Sequence, residues 1–254
     1  PPVSMEETLE IYACMEAADE SKRRGGAEVT LASVIEKARK EASQKLAILD
    51  TADNELTPEE KADGWQLLFN GRDYAGWKCN NGKEIASEIE DGSLMPYKSG
   101  GYLIMHEKPF GDFILKCDVK YVPGCNSGIF VRVGDPRDPV QTGIEVQVED
   151  GDGTGMHDFG ALYDLVATSK NASRKPGEWN TVTISCKGPI ISVTVNGEPV
   201  SQINCDEWTE PGMRPDGSKH KFARAIKDFP RKGRIGFQDH GAKVWYKNVK
   251  VKEL

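Results

Sequence analysis

The chain has 254 residues, 38% of them apolar and 29% charged, with a formal net charge of −7; that length suits one large domain or a domain with an appendage. The charge is uneven: residues 1–64 carry 8 Lys and Arg against 15 Asp and Glu, and the remainder balances at 25 of each. A main domain without cationic excess has no pull on polyanions, which excludes nucleic acid as a partner, and the lack of any long apolar run excludes a membrane-spanning helix.

Taken in order, residues 5–21 and 28–49 are rich in Ala, Glu, Lys and Leu without internal Pro and predict two helices. Leu9, Tyr12, Ala13, Glu16 and Ala17 form a partly apolar stripe on the first. Leu31, Val34, Ile35, Ala38, Ala42, Leu46 and Leu49 form a better one on the second, with Thr30 as its N-cap. Such an αα-hairpin has little core of its own, so it is expected to contact the main domain, an upstream domain or a second copy. Residues 50–63 read as a polar linker, with Thr57-Pro58-Glu59-Glu60 opening one short helical turn. The expected division is therefore a helical extension and linker over 1–63 and a main domain over 64–254.

From Trp65 onward short alternating runs are separated by Gly, Pro and Asn clusters, with almost no helix. Phe113, Leu115, Cys117, Val119 and Tyr121 share one face of a long strand; Val182, Ile184 and Cys186 do the same in another. Lys187-Gly188-Pro189 and Asn196-Gly197 mark tight reversals. The pattern predicts an all-β domain, a two-sheet antiparallel jelly-roll sandwich. Arg234–Phe237 and Lys243–Val251 read as a closing hairpin around the tetrad Gln238-Asp239-His240-Gly241. The aromatic-rich stretch 205–232 is long for a structureless connection, and is expected to be either a covering flap beside a binding site or a structural loop. The six cysteines include no C-x-x-C pair, so a cysteine zinc site is not indicated. Cys117 and Cys186 read as core thiols; Cys79, Cys125 and Cys205 fall in loops, where a disulfide stays open.

The chemistry concentrates on Ile144–Glu149. Ile144, Val146 and Val148 form one face of this strand, and Glu145, Gln147 and Glu149 the other, as either a solvated face or the floor of a polar cleft. The same parity in the preceding strand sends Ile129, Val131 and Val133 inward and Phe130 and Arg132 outward. Arg132 beside Glu145 is then expected to hold the carboxylate ionised, with a lowered pKa. Asp150-Gly151-Asp152-Gly153-Thr154-Gly155 begins like a calcium loop, yet Ala161 stands where an EF-hand places its bidentate Glu, and that reading is rejected. His157-Asp158, with His240, are alternative ligands for a divalent metal; no other cofactor is indicated.

Six segments carry a family resemblance in order: Asn126-Ser127-Gly128-Ile129-Phe130-Val131-Arg132, Glu145-Val146-Gln147, Gly160-Ala161-Leu162-Tyr163, Lys175-Pro176-Gly177-Glu178-Trp179-Asn180, Val195-Asn196-Gly197 and Gly236-Phe237-Gln238-Asp239-His240-Gly241. From Gly64 to Leu254 the chain resembles the 3-keto-disaccharide hydrolase family, long a domain of unknown function, with a concanavalin A-like jelly roll. The resemblance departs at Ile144, where the family often carries an aromatic. It implies a carbohydrate partner, a 3-keto-glycoside or oligosaccharide, and a periplasmic or secreted location. Pro1-Pro2-Val3 opens the chain without a basic or an apolar leader region, as expected if a signal peptide never existed, was removed, or lies upstream of Pro1.

In such chemistry a C3 ketone acidifies the C2 proton; a base removes it, the C1 group leaves, and water adds to the enone. Glu145 is the candidate base, His240 the acid or alternate base, and Arg132 the enolate partner unless a metal takes that role. Gln147, Gln238, Asp239 and His157 are candidates for holding substrate, and Tyr163 or Trp179 for stacking on a ring, the other reading being Trp179 in the core and Tyr163 packed between the sheets. The alternative from another class is a non-catalytic carbohydrate-binding module of a larger envelope-associated enzyme. Convergence of Arg132, Glu145 and His240 in one pocket would favour the enzyme.

Overall fold

The computed structural model describes residues 5–50 and 52–254, the side chains of 5, 6 and 42–50 excepted. Contacts divide the chain into two compact units, 1–52 and 53–254. In the first, α1 (Met5–Arg23) and α2 (Leu31–Asp50) form the expected helical pair. The Ser33 amide donates to Thr30 Oγ1 at 3.2 Å, the N-cap bond that a hydroxyl at that position supplies. Only Ala13 and Ala17 of the first stripe are buried, whereas Leu9 and Tyr12 are exposed along with Ile11 and Met15. Ala42, Leu46 and Leu49 of the second stripe lie outside the described side chains.

The second unit begins earlier than the β pattern. The stretch read as a linker is bound to the sheet: the Asn54 amide donates to Asn248 Oδ1 at 2.6 Å, and the Asn248 amide to Asn54 Oδ1 at 2.9 Å. Lys247 pairs with Asp53, Lys250 with Glu60 and Lys252 with Asp63. Helix α3 (Pro58–Ala62) carries the full capping box, with Thr57 accepting from the Glu60 amide and Glu60 from the Thr57 amide.

Eleven strands follow among the described residues: β1 (Trp65–Leu67), β2 (Trp77–Cys79), β3 (Leu103–His106), β4 (Phe113–Tyr121), β5 (Asn126–Val133), β6 (Ile144–Glu149), β7 (Asn180–Lys187), β8 (Ile190–Val195), β9 (Glu198–Asn204), β10 (Arg234–Gln238) and β11 (Val244–Glu253). A short helix, α4 (Pro139–Thr142), precedes β6. The sheets run β1-β11-β4-β7-β8-β9 and β2-β3-β10-β5-β6, with every strand pair antiparallel. This is the two-layered sandwich expected.

The parity of β4 holds as read: Phe113, Leu115, Cys117, Val119 and Tyr121 are buried, and the residues between them are partly exposed. Phe237 of β10 stacks on Trp77 at 5.5 Å and on Tyr246 of the opposite sheet at 4.1 Å, so aromatic contacts join the layers. Cys79, Cys117, Cys125, Cys186 and Cys205 are all buried free thiols, and Cys14 is an exposed one.

Two expectations about strands fail. First, β10 and β11 do not form a hairpin: β10 pairs with β3 and β5, and β11 with β1 and β4. Residues 239–243 arch from one sheet to the other, and alternation in two successive runs does not distinguish an arch from a hairpin. Second, β5 carries a bulge. Arg234 aligns with Val133 but Gly236 with Phe130, so β5 holds one extra residue, and Arg132 takes a left-handed φ of 55°. The bulge reverses the parity that held from Ile129 to Val131. Val133 joins Leu103, Met105 and Phe130 on the outer face, and Arg132 turns away from it.

Candidate active site

The five-stranded sheet is buried on both faces. Its outer face carries two rows, fixed by register. One runs Gly236 (β10), Phe130 (β5), Glu145 (β6); the next runs Gln238, Gly128, Gln147. Beyond β6 the segment around Leu162 adds a short extra rung. Leu162 bridges Val146, and the Tyr163 amide donates to the Glu145 carbonyl at 2.9 Å, which sets Tyr163 beside Glu145 on the same face.

Glu145 is 9% exposed and Gln147 1%, so this face is covered rather than a solvated surface. Glu145 occupies space left by a missing side chain: a Cβ on Gly128 would lie 2.3 Å from Glu145 Oε1. Burial pushes the Glu145 carboxyl up to about 7; the Lys221 charge and hydrogen bonding from Gln238 oppose this without cancelling it. The direction is opposite to the one expected from Arg132.

Gln238 donates from Nε2 to Tyr102 Oη at 2.5 Å. Burial and the nearby Glu145 charge push the Tyr102 hydroxyl up to about 12, so it stays protonated and able to donate. Gln147 Nε2 donates to Asn126 Oδ1 at 3.2 Å. The amide oxygens of both glutamines are buried with no partner among the described residues. Buried acceptors are nearly always satisfied. Two orphaned ones flanking a Gly and a carboxylate leave a place for hydroxyl donors.

The 205–232 segment is anchored beside this floor. Arg214 donates to the Asp164 carbonyl at 2.7 Å and to its carboxylate at 3.1 Å, and the Lys221 amide donates to Asp164 Oδ2 at 2.7 Å. Gln141 of α4 accepts from the Ala223 amide at 2.8 Å. These bonds bring the Lys221 ammonium to 3.9 Å from the centre of the Tyr163 ring. His157 stacks on the same ring at 4.6 Å.

The predicted residues therefore separate. Glu145, Gln147, Gln238 and Tyr163 converge, with His157 against Tyr163. Arg132 does not join them: it is buried towards the other sheet, where it donates to the carbonyls of Gly111 and Gly188 and to Asp112 at 2.8 Å. The bulge is the cause, and alternation could not show it. Asp239 acts within the arch, accepting from the amides of Lys98 at 2.8 Å and Gly241 at 3.0 Å. Its amide also donates to the Tyr102 carbonyl at 3.0 Å, so it positions Tyr102 and Gln238 and has its acceptors engaged. His240 is exposed beyond it. Trp179 lies on the six-stranded sheet, half-exposed between Lys120 and Lys247, and is neither core nor part of this cleft.

The expected metal ligands do not assemble. Among the described residues no three His, Cys, Asp or Glu side chains are placed to hold an ion. The Asp158 carboxylate is engaged by the Gly155 amide at 2.5 Å. Sequence reasoning missed Tyr102, Lys221 and the role of Gly128. Only the length and aromatic content of 205–232 signalled that a residue such as Lys221 would reach the site.

A profile of the 3-keto-alpha-glucoside-1,2-lyase-like domain matches residues 64–252. The chain belongs to this family. A 3-keto-disaccharide hydrolase of Bacteroides thetaiotaomicron is 29% identical over 232 residues, covering 76% of this chain and 79% of its own length. Two solved proteins of Parabacteroides distasonis, assigned provisionally as glycosyl hydrolases, superpose with TM-scores of 0.67 and 0.65 at 31% and 29% identity. The first alignment covers 80% of this chain and all of that one; the second covers 75% and 99%. Membership in the 3-keto-glucoside lyase-like family covers the whole sandwich and hence every residue of the cleft. The helices α1 and α2 lie outside the matched span.

Proposed function

We propose that this protein cleaves 3-keto-glycosides by removing the C2 proton, expelling the C1 substituent and adding water to the resulting enone. The observation that carries the reading is Glu145, a buried carboxyl held near neutrality beside two unpartnered amide oxygens and a protonated tyrosine. A base with a pKa of about 7 is half ionised at neutral pH, where proton transfer is most effective.

In this reading the Gln147 and Gln238 oxygens accept from sugar hydroxyls. Tyr102 Oη and the Lys221 ammonium face the ketone oxygen and stabilise the enolate, the task first expected of Arg132. Glu145, once it holds the C2 proton, is a neutral acid and passes it to the departing C1 oxygen. No separate acid at the His240 position is then required. Tyr163 supplies a ring edge for the sugar. Action on an envelope carbohydrate in a periplasmic or secreted setting is part of the same proposal.

The test is incubation with 4-nitrophenyl 3-keto-α-glucoside. Release of nitrophenol by the parent protein, lost in Glu145→Gln, supports the proposal. Saturable binding without release would favour a carbohydrate-binding module instead.

A further inference from the structure

The proton-transfer scheme uses Lys221 only as a positive charge, although its amine is also a nucleophile. Its backbone is pinned by Asp164, while its side chain is exposed and reaches over the Tyr163 ring, next to Glu145 on the sheet face. No short ion pair of Lys221 with a carboxylate occurs among the described residues, in contrast to Lys247, Lys250 and Lys252, each of which is paired. The groups facing it are the Glu145 and Asp164 charges, which raise its proton affinity, and the apolar rings of Tyr163 and Phe222. Partial desolvation of this otherwise exposed side chain against the two rings outweighs the charges, and the Lys221 ammonium loses its proton more readily than a free lysine. A primary amine of that kind within the field of a carboxylate it does not contact, in a site for a ketone, has the parts for imine formation.

We propose that Lys221 forms a Schiff base with the C3 ketone of the substrate, so that elimination proceeds through an enamine rather than a free enolate. The inference rests on the proposed 3-keto-glycoside activity and specifies how the positive charge is delivered. The neutral amine adds to C3 and water leaves, giving an iminium. Glu145 takes the C2 proton, and the C2–H electron pair forms the enamine double bond. The nitrogen lone pair then re-forms the iminium as the C1–O bond breaks, and Glu145 protonates the departing oxygen. Water adds at C1 of the conjugated iminium and C2 is reprotonated. A second water hydrolyses the iminium and frees Lys221. One water is consumed overall, and no oxidant or reductant is needed.

The experiment adds sodium borohydride to the full chain during turnover of 4-nitrophenyl 3-keto-α-glucoside, followed by peptide mass mapping. The expected result is a stable adduct on the Lys221 peptide, heavier by the sugar less one oxygen, with irreversible loss of activity. Lys221→Arg keeps the charge but forms no imine, and is expected to lose about a hundredfold or more in kcat. Turnover without a trapped adduct, together with Lys221→Arg within about tenfold of the parent, would overturn the Schiff base and leave the proton-transfer reading intact. Absence of any turnover by the folded parent would overturn both.

Discussion

Replacing Glu145 by Gln tests the environment of the carboxyl without requiring a substrate. The unfolded carboxyl titrates near 4.5 and the folded one near 7. Between these values the folded protein holds the extra proton, so the stability of the parent falls as pH rises through that window. A shift of that size corresponds to roughly 3 kcal/mol at about 1.4 kcal/mol per unit. Gln is neutral at every pH and avoids the penalty. Glu145→Gln is therefore expected to gain nothing over the parent below pH 4.5, to gain progressively up to pH 7, and to remain more stable by up to about 3 kcal/mol above it. In a unit of this size that is on the order of ten degrees in Tm. The assay is urea or thermal unfolding of both proteins from pH 4 to 9. A stability difference that does not change with pH would refute the reasoning, since an ionised Glu145 would then carry no cost.

Other substitutions separate the parts of the account. Gly128→Ala drives a methyl into the Glu145 carboxylate and is expected to lower kcat/KM by about a hundredfold through misplacement of the base; unchanged kinetics on a 3-keto-glucoside would show that the carboxylate has room to move. Arg132→Met removes a buried guanidinium from Asp112 and two carbonyls, so it should cost about 3 kcal/mol in denaturant unfolding while kcat of the folded protein stays near that of the parent. A variant of parental stability with abolished turnover would return Arg132 to the site. His240→Ala, at an exposed position, should leave kcat/KM within about threefold and stability within about 0.5 kcal/mol; a larger loss of turnover would restore His240 as the acid.

Much of the sandwich was legible because burial on one face forces a period of two, as in Phe113–Tyr121 and Val182–Cys186. The same rule found Glu145 and Gln147, which share a face whichever way the sheet is covered. It failed at Arg132, where one additional residue and a left-handed backbone reverse the parity, and no residue type in Val131-Arg132-Val133 announces that. It failed again at 239–243, since the partners of β10 and β11 are chosen by the rest of the sheet. Lys221 and Tyr102 were beyond reach for another reason. Each lies outside regular structure and arrives through long-range bonds, Lys221 through Asp164 and Tyr102 through Asp239 and Gln238. Local periodicity carries no information about those bonds.

The central claim is that Glu145 takes a proton from C2 of a 3-keto-glycoside. Turnover of 4-nitrophenyl 3-keto-α-glucoside in D2O, followed by NMR of the released sugar, tests it directly. The account predicts deuterium at C2 of the product formed by the parent protein and negligible product from Glu145→Gln. Product that retains the original C2 hydrogen would mean direct displacement at C1, and would contradict the account.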